Sequence, residues 1–155
     1  MNISDLLAPD AVMPALKIQT KKQLLQELAA KAHAVTRLPE RRILEALVER
    51  ERLGSTGVGS GIAIPHARLH EDAAIAGVFV RLETPIDYEA VDSQPVDLVF
   101  MLLARESAGA DHLKALARVS RLLRNAATCE KLRAATTAEA LYAILTAQNG
   151  DVQAA

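Results

Sequence analysis

The order of apolar and polar positions along the chain predicts helices on either side of a central group of strands. Apolar residues recur at helical spacing after Thr20, after Pro39 and after Asp111. Residues 76–82 and 96–103 form apolar runs, and the second is nearly continuous, which is typical of a strand covered on both faces. The pattern therefore predicts one α/β domain with helices flanking a small sheet.

Local signals predict where the first helices begin and end. Thr20 and Gln23 have the spacing of a capping box, in which each side chain bonds to a free backbone N–H of the first turn. Pro39 suits the first turn of the next helix, and Gly54 marks its end. Asp111 is the predicted N-cap of the helix that runs to about residue 125.

The same kind of signal organises the C-terminal part. Thr128 and a capping box that starts at Thr136 predict two further short helices, and the pair Asn149–Gly150 predicts the end of the last one. We assign residues 1–150 to the domain and residues 151–155 to a frayed tail. The chain contains no internal repeat and no long linker.

Composition narrows the function. The 155 residues carry 18 basic and 19 acidic side chains, so no bulk positive field favours a nucleic-acid partner. The single cysteine, Cys129, excludes a disulfide framework and cysteine-based zinc sites. No apolar stretch approaches the roughly 20 residues of a membrane span, and Met1–Asp10 lacks the pattern of a signal peptide. We expect a soluble, cytoplasmic protein without membrane insertion.

Four of the seven glycines lie close together, at Gly54, Gly57, Gly59 and Gly61. The segment lacks the Gly-Lys-Ser/Thr ending of a Walker loop. It follows a predicted helix and precedes a predicted strand, which is the reverse of a dinucleotide-binding fingerprint. The glycines can still fold backbone and hydroxyl groups closely around whatever lies at the end of the short apolar stretch 62–64.

His66 lies at that point, directly after Pro65. Proline fixes its own backbone and restricts the residue before it, so His66 is expected to sit at a stiff strand end beside the glycine loop. Two interpretations remain open from spacing alone: a reactive histidine, or a tight turn that carries a surface histidine.

Helical projections add further candidates. Arg50 and Glu51 fall inside the apolar arc of the helix that ends at Gly54, where a charge needs a partner or a role. An internal ion pair or side chains that reach out to solvent would explain them equally well. In the later helix His112 lies in the first turn on the inward side, where it could be a site residue or an ordinary core histidine. That projection places one set inward (Leu113, Leu116, Val119, Leu123) and another in a polar stripe (Lys114, Arg118, Arg121, Arg124).

Residues 47–66, LVERERLGSTGVGSGIAIPH, strongly resemble the active-site signature of the enzyme IIA domains of the phosphoenolpyruvate-dependent phosphotransferase system, fructose/mannitol class. Within that class the nitrogen-branch regulatory members are the most similar. Residues 82–104 and 112–125 are also similar to that family, so the resemblance covers almost the whole chain. It implies a mixed five-stranded sheet flanked by helices.

The resemblance implies a phosphocarrier with a regulatory role in the nitrogen branch. His66 matches the residue that accepts a phosphoryl group from a small HPr-like carrier, His112 matches the second active-site histidine and Arg50 the active-site arginine. Regulated target proteins are expected as further partners, and neither a cofactor nor a metal is implied. One departure is that Ala67–Arg68 follows His66 where many relatives have Gly-Lys.

The chemistry of phosphoryl transfer accounts for these residue types. A neutral imidazole is a good nucleophile, and an arginine offers a planar charged fork to phosphoryl oxygens. Backbone N–H groups of the glycine loop could complete a phosphate cradle. The candidate cradle residues are Ser55, Thr56, Gly57 and Gly59, with Ser55 and Thr56 as hydroxyl donors.

Three alternatives remain. The chain could be a sugar-specific enzyme IIA that passes the phosphoryl group to a fructose- or mannitol-type permease component. It could be a metal-dependent hydrolase that uses His66, His70 and either Glu71 or Asp72, although Pro65 argues against the helix which that spacing requires. It could also be a binding module in which His66 is never phosphorylated. His33 and His70 are otherwise expected at the surface, and Cys129 inside a helix.

Overall fold

A computed structural model describes residues 1–70 and 74–147. Helices and strands occur there in the mixed order expected of an α/β domain. The helices are α1 (Ile3–Leu6), α2 (Lys21–Thr36), α3 (Glu40–Arg52), α4 (Ala110–Arg124), α5 (Ala126–Ala134) and α6 (Ala138–Leu145), with short 3₁₀ turns at Pro9–Ala11 and Glu106–Ala108. The strands are β1 (Val12–Leu16), β2 (Gly57–Gly59), β3 (Ile62–Ala63), β4 (His66–Leu69), β5 (Ala76–Ile86) and β6 (Val96–Arg105).

The strands form one mixed sheet in the order β1-β5-β6-β3-β2, and β4 also pairs with β6, beyond the end of β3. Strands β5 and β6 are antiparallel, whereas β1 is parallel to β5, and both β3 and β4 are parallel to β6. The predicted α/β class and mixed sheet are confirmed, but the expected count of five strands is wrong, since this part of the chain has six. The very short strands β2 and β3 make the count sensitive to two or three residues.

Strand β6 is the centre of the core. Every residue from Leu98 to Ala104 is buried, which requires cover on both faces of the sheet. Helices α2 and α3 pack against each other and contact β5 and β4, while α4, α5 and α6 form a second group that contacts β6 and β1. The nearly continuous apolar run at residues 96–103 therefore correctly predicted a strand that is covered on both faces.

Helix α2 begins as predicted. The Thr20 hydroxyl accepts a hydrogen bond from the Gln23 backbone N–H at 3.1 Å. The Gln23 side chain reaches back one residue further than in a standard capping box and accepts from the Gln19 N–H at 2.8 Å. The first contact satisfies one of the N–H groups that a helix leaves unpaired at its start, and the second fixes the residue before the cap.

Three predicted helix starts are wrong by one to three residues. Helix α4 is capped by Gly109, with φ of 54°, and Asp111 lies inside its first turn. Helix α5 is capped by Asn125. Helix α6 is capped by Thr137, not Thr136.

A second polar residue near the start explains two of these errors, those for α5 and α6. The Asn125 side chain accepts a hydrogen bond from the backbone N–H of Thr128, the residue that had been predicted to open α5. The Thr137 hydroxyl accepts from the Ala140 N–H at 3.1 Å. The predicted end of the last helix at Asn149–Gly150, and the tail at 151–155, lie outside the described residues.

Candidate functional site

His66 is the first residue of β4 and lies half-buried beside the central strand. Its position is fixed from both sides, because β4 pairs His66 with Leu102 and the Leu102 N–H donates to the Pro65 carbonyl at 2.9 Å. The ring nitrogen Nδ1 lies 2.8 Å from the Ile64 carbonyl oxygen. A carbonyl oxygen can only accept, so Nδ1 carries the hydrogen and the neutral ring keeps its lone pair on Nε2.

His112 lies in the first turn of α4 and is only 4% exposed. Its ring centroid is 5.8 Å from that of His66, and the two ring planes meet at 62°. The inward direction predicted for His112 is confirmed. The prediction for its neighbour Leu113 is wrong, since that side chain is 62% exposed because α4 covers the sheet with a narrower apolar face than the projection suggested.

Arg50 and Glu51, in the last turn of α3, have different surroundings. The Arg50 guanidinium donates to the Gly54 carbonyl at 2.9 Å, and its charge acts on the His66 ring. Glu51 points inward, with a side chain only 7% exposed. Of the explanations left open by the sequence, an internal ion pair is the one found for Glu51, whose partner is Lys21 at 2.9 Å.

The Glu51 carboxylate holds together four groups from three parts of the chain. Its Oε1 accepts from the Thr56 N–H at 3.1 Å and from Lys21 Nζ at 2.9 Å. Its Oε2 contacts the Thr56 hydroxyl and the Tyr88 hydroxyl, the latter at 3.0 Å. Burial raises the pKa of Glu51, but the hydrogen bonds from Thr56 and Lys21 outweigh it and place the pKa below the ordinary value. Glu51 is therefore a buried, ionised anchor.

Tyr88 closes this network. It is fully buried, its hydroxyl lies 2.9 Å from the Thr56 hydroxyl, and Lys21 Nζ lies 4.4 Å from the centre of its ring. Burial, together with the negative charge of Glu51, raises the pKa of Tyr88. Because the phenol stays protonated, it remains a hydrogen-bond donor to the carboxylate.

The residues predicted to form a phosphate cradle partly have structural roles within the loop. The Thr56 hydroxyl is turned towards Glu51 and Tyr88, so it is not offered to a phosphoryl group as the sequence suggested. The Gly57 N–H donates to the Ser55 hydroxyl at 3.1 Å, which leaves the Ser55 hydrogen for another acceptor. Gly59 lies at the tip of the β2–β3 hairpin with φ of 108°, a conformation that favours glycine.

The tip of that hairpin is held by charged side chains. The Asp92 carboxylate accepts a hydrogen bond from the Ser60 N–H at 3.0 Å, and this contact with the backbone lowers the pKa of Asp92. Arg133 binds the Asp97 carboxylate through two nitrogens and also donates to the Ser60 carbonyl at 3.0 Å. The hairpin is thus tied to α5 and to the start of β6.

The electrostatics of the two histidines involve a residue not singled out as a site residue from the sequence, Arg68. Burial lowers the pKa of His66, and the charges of Arg50 and Arg68 lower it further against the opposing effect of the Ile64 carbonyl. Burial also lowers the pKa of His112, with Arg68 the next cause. Arg68 lies two residues after His66 on β4, and side chains at that spacing share one face of a strand, which was the available signal.

Other residues outside the prediction complete the network. Lys21 gave no signal beyond its place at a helix start, and Tyr88 lies in an irregular segment where neither periodicity applies. Glu51 was found because it interrupts an apolar arc. Lys21 and Tyr88 are identified only by their contacts with residues distant in sequence.

The remaining histidines lie apart from the network. His33 Nδ1 donates to the Leu38 carbonyl, 2.7 Å away, and His70 lies 3.0 Å from Glu106. Both are exposed, and Cys129 is buried in α5, as predicted.

For the metal alternative, Glu71 and Asp72 lie outside the described residues. Within residues 1–70 and 74–147 no three His, Cys, Asp or Glu side chains gather as metal ligands would. In the same ranges, no helix has the length and apolar character needed to cross a membrane.

The mixed sheet and the two facing histidines agree with the expectation, drawn from the sequence resemblance, of a phosphotransferase-system IIA domain. Residues 5–148 match the family described as "Phosphoenolpyruvate-dependent sugar phosphotransferase system, EIIA 2", and the chain belongs to that family. It is 58% identical over 145 residues to the nitrogen regulatory protein of Bradyrhizobium diazoefficiens, covering 94% of this chain and 95% of that protein. It is 42% identical over 151 residues to the nitrogen regulatory protein of Escherichia coli, covering 97% and 93%.

Solved structures agree on the fold. The nitrogen regulatory protein IIA-Ntr from Neisseria meningitidis superimposes with a TM-score of 0.88 at 33% identity, covering 93% of this chain and 99% of that one. The mannitol IIA from Escherichia coli gives a TM-score of 0.75 at 18% identity, with 89% and 97% covered, and at this identity supports the fold alone. The resemblance drawn from residues 47–66 is confirmed at the level of the family.

Proposed function

We propose that this chain is a phosphocarrier that accepts a phosphoryl group on Nε2 of His66 from the phosphohistidine of an HPr-like carrier. The observation that carries the proposal is the 2.8 Å contact between His66 Nδ1 and the Ile64 carbonyl. It places the ring hydrogen on Nδ1 and leaves the Nε2 lone pair available. In the transfer, that lone pair forms the new N–P bond while the N–P bond of the donor breaks and its electron pair returns to the donor imidazole.

The protonation state of His66 suits this role. Burial and the positive charges of Arg50 and Arg68 hold the pKa of His66 below its ordinary value of about 6.5. The ring is therefore largely neutral at pH 7, and no general base has to remove a proton before attack.

Charge stabilisation is the other requirement. A loose transition state spreads negative charge over the phosphoryl oxygens, so catalysis depends on positioning and on nearby positive groups. Arg50 supplies a permanent charge, and His112 supplies a second imidazole whose ring centroid lies 5.8 Å from that of His66. Ser55 keeps a hydroxyl hydrogen that its hydrogen bond with the Gly57 N–H does not use.

A partner protein has a surface to dock on near the site. Four large apolar side chains are each more than half exposed. Each belongs to a residue that is adjacent in sequence, or hydrogen-bonded, to an element that carries the site. They are Leu53 at the end of α3, Val58 on the hairpin, Val91 whose N–H donates to Gly57, and Leu113 beside His112. In this proposal these exposed apolar side chains contribute to transient association with the carrier protein.

The regulatory role in the nitrogen branch is supported by the relatives, since those at 58% and 42% identity are named nitrogen regulatory proteins. Regulated targets and a cytoplasmic location belong to the same proposal. The sugar-specific alternative also has a relative, the fructose-specific EIIABC component of Bacillus subtilis, at 35% identity over 94% of this chain but only 23% of that protein. A test of sugar phosphorylation by membranes containing a fructose- or mannitol-type permease separates the two roles, because only a sugar-specific IIA would drive it.

Reconstitution tests the phosphocarrier role. The purified chain is incubated with phosphoenolpyruvate, enzyme I and an HPr-like carrier, and intact mass reports an acid-labile phosphoryl group. His66→Ala is expected to abolish the mass gain, whereas His33→Ala and His70→Ala, at exposed histidines, serve as matched controls and are expected to keep it. Labelling of folded His66→Ala at the wild-type level contradicts the proposal.

A further inference from the structure

A continuous series of hydrogen bonds leads from the buried Glu51 carboxylate to the imidazole of His66. Glu51 Oε1 accepts from the Thr56 N–H at 3.1 Å. The Thr56 carbonyl accepts from the Ile64 N–H at 3.0 Å. The Ile64 carbonyl in turn contacts His66 Nδ1 at 2.8 Å. Three contacts thus join the last turn of α3 to the ring.

The direction of the Ile64 carbonyl is determined by its neighbours on both sides. The Ile64 N–H is held by Thr56, and the Pro65 carbonyl accepts from the Leu102 N–H at 2.9 Å. Pro65 has a fixed φ, which removes one of the remaining torsional freedoms. The strand contact to Leu102 is part of the sheet core, whereas the contact to Thr56 depends on a loop, which is the more adjustable of the two supports.

The loop support itself depends on Glu51. Thr56 uses both its N–H and its hydroxyl on this carboxylate, so the residue is fixed in position and in orientation. Glu51 reaches it from five positions earlier in the chain, across the turn at Gly54 that ends α3. Lys21 supplies the compensating charge at 2.9 Å, and Tyr88 fills the remaining side of the carboxylate.

We propose that Glu51 is a positioning residue for His66, acting through Thr56 and the Ile64 carbonyl to keep the imidazole hydrogen on Nδ1 and the lone pair on Nε2. Glu51 itself does not touch the phosphoryl group in this account. This role rests on the proposed function in one respect, namely that Nε2 of His66 is the atom that accepts the phosphoryl group. The tautomer of His66 is a property of the resting protein and can be measured without any transfer.

The primary test is the tautomer of His66, read from ¹⁵N shifts and two-bond couplings of the imidazole in the intact, uniformly labelled protein. The wild type is expected to show the Nδ1–H form as the main neutral species. Glu51→Gln, which keeps the shape but removes the charge and one acceptor, is expected to lower the ratio of Nδ1–H to Nε2–H by about fivefold, the value of one net hydrogen bond. An unchanged ratio in the folded variant overturns the proposal.

Thr56 provides a second, milder pair of variants for the case in which Glu51→Gln does not fold. Thr56→Val removes the hydroxyl but keeps the branched shape, and is expected to lower the tautomer ratio. Thr56→Ser restores the hydroxyl and is expected to restore the ratio. Equal ratios in the folded Val and Ser variants contradict the proposal.

Glu49→Gln is the matched control on the same helix, because Glu49 is exposed and pairs with Arg52 at 2.7 Å. Its ratio is expected to stay at the wild-type value, and a shift as large as that of Glu51→Gln would also overturn the proposal. In the transfer assay, Glu51→Gln is expected to slow phosphoryl acceptance by up to about 10²-fold. If the wild type itself is not phosphorylated, the proposed function fails, while the tautomer ratios still decide the role of Glu51.

Discussion

The rings of His66 and His112 face each other edge to face, with their centroids 5.8 Å apart and their planes at 62°. Burial lowers the pKa of both rings, and the charges of Arg68 and of a protonated His66 further disfavour protonation of His112. Two neutral imidazoles can therefore share the site at pH 7 without repulsion. The second ring can then hydrogen-bond to a phosphoryl group carried by the first.

The first prediction concerns the protonation of these two rings. NMR titration is expected to give midpoints for His66 and His112 below the ordinary value of about 6.5. The unfolded chain then takes up protons at a higher pH than the folded chain, so the free energy of unfolding falls as the pH drops through and below 6.5. Midpoints at or above 6.5 for both rings would show that burial and Arg68 do not act as described.

The second prediction concerns Arg68. Since its charge disfavours protonation of both rings, Arg68→Ser is expected to raise the pKa of His66 and of His112 together. The shift should shrink in high salt, because Arg68 is exposed and its field is screened. NMR titration of the variant at low and high salt measures both effects.

Arg41→Ser is a suitable control, because this exposed arginine in the first turn of α3 pairs with Glu45 and is not among the charges acting on either histidine. It is expected to leave both midpoints in place. If Arg68→Ser moves neither midpoint at low salt, the assignment of Arg68 to the site is wrong.

The third prediction concerns Gly57, where the hairpin passes very close to the segment that follows β5. A Cβ atom there would lie 2.7 Å from Ala90 Cβ and 3.0 Å from Tyr88 Cδ2. Gly57→Ala is therefore expected to reduce the free energy of unfolding by roughly 1–3 kcal/mol through overpacking. Thermal or urea unfolding measures the change.

Val58→Ala is the control for that measurement, since the Val58 side chain on the same hairpin is 55% exposed. It is expected to change the free energy of unfolding by less than about 0.5 kcal/mol. Equal stability of Gly57→Ala and the wild type would mean that the close approach to Ala90 is relaxed at no cost.

The fourth prediction concerns Arg50, whose guanidinium donates to the Gly54 carbonyl while its charge reaches His66. A lysine keeps the charge but not the planar fork. Arg50→Lys is expected to fold normally and to accept the phosphoryl group about 10²-fold more slowly, as when one stabilising donor is lost. Single-turnover transfer from the phosphorylated HPr-like carrier measures the rate.

Arg52→Lys, two residues away and exposed on the same helix, controls for a general effect of the substitution. Its transfer rate is expected to match the wild type. An Arg50→Lys rate within twofold of the Arg52→Lys rate would remove Arg50 from the transfer step.

The sequence predicted those features of the fold that depend on neighbouring residues. The buried strands β5 and β6 and the helix after Thr20 follow from local apolar spacing and a local cap. Strands β1, β2 and β4 were not predicted, because they are only three to five residues long and their pairing depends on partners distant in sequence. A one-residue choice between Thr136 and Thr137 shows how weakly sequence separates adjacent cap candidates.

The candidate site also has one part that the sequence predicted and one part that it did not. His66, His112 and Arg50 were found from spacing and resemblance, and the structure brings the two rings together with the Arg50 charge nearby. The role of Thr56 changed, because its hydroxyl is used by Glu51 and Tyr88, and neither contact follows from a local pattern. The sequence thus identified the inward position of Glu51, but its contacts with Thr56 and Tyr88 are visible only once the chain is folded.

The most direct measurement of the central claim is the location of the phosphoryl group after transfer from the phosphorylated HPr-like carrier. ³¹P and ¹⁵N NMR of the labelled, freshly phosphorylated protein identify both the histidine and the ring nitrogen. The account predicts a single phosphohistidine, at Nε2 of His66, with Nδ1 still hydrogen-bonded. A phosphoryl group on Nδ1 of His66, on another of the four histidines, or on none of them would contradict it.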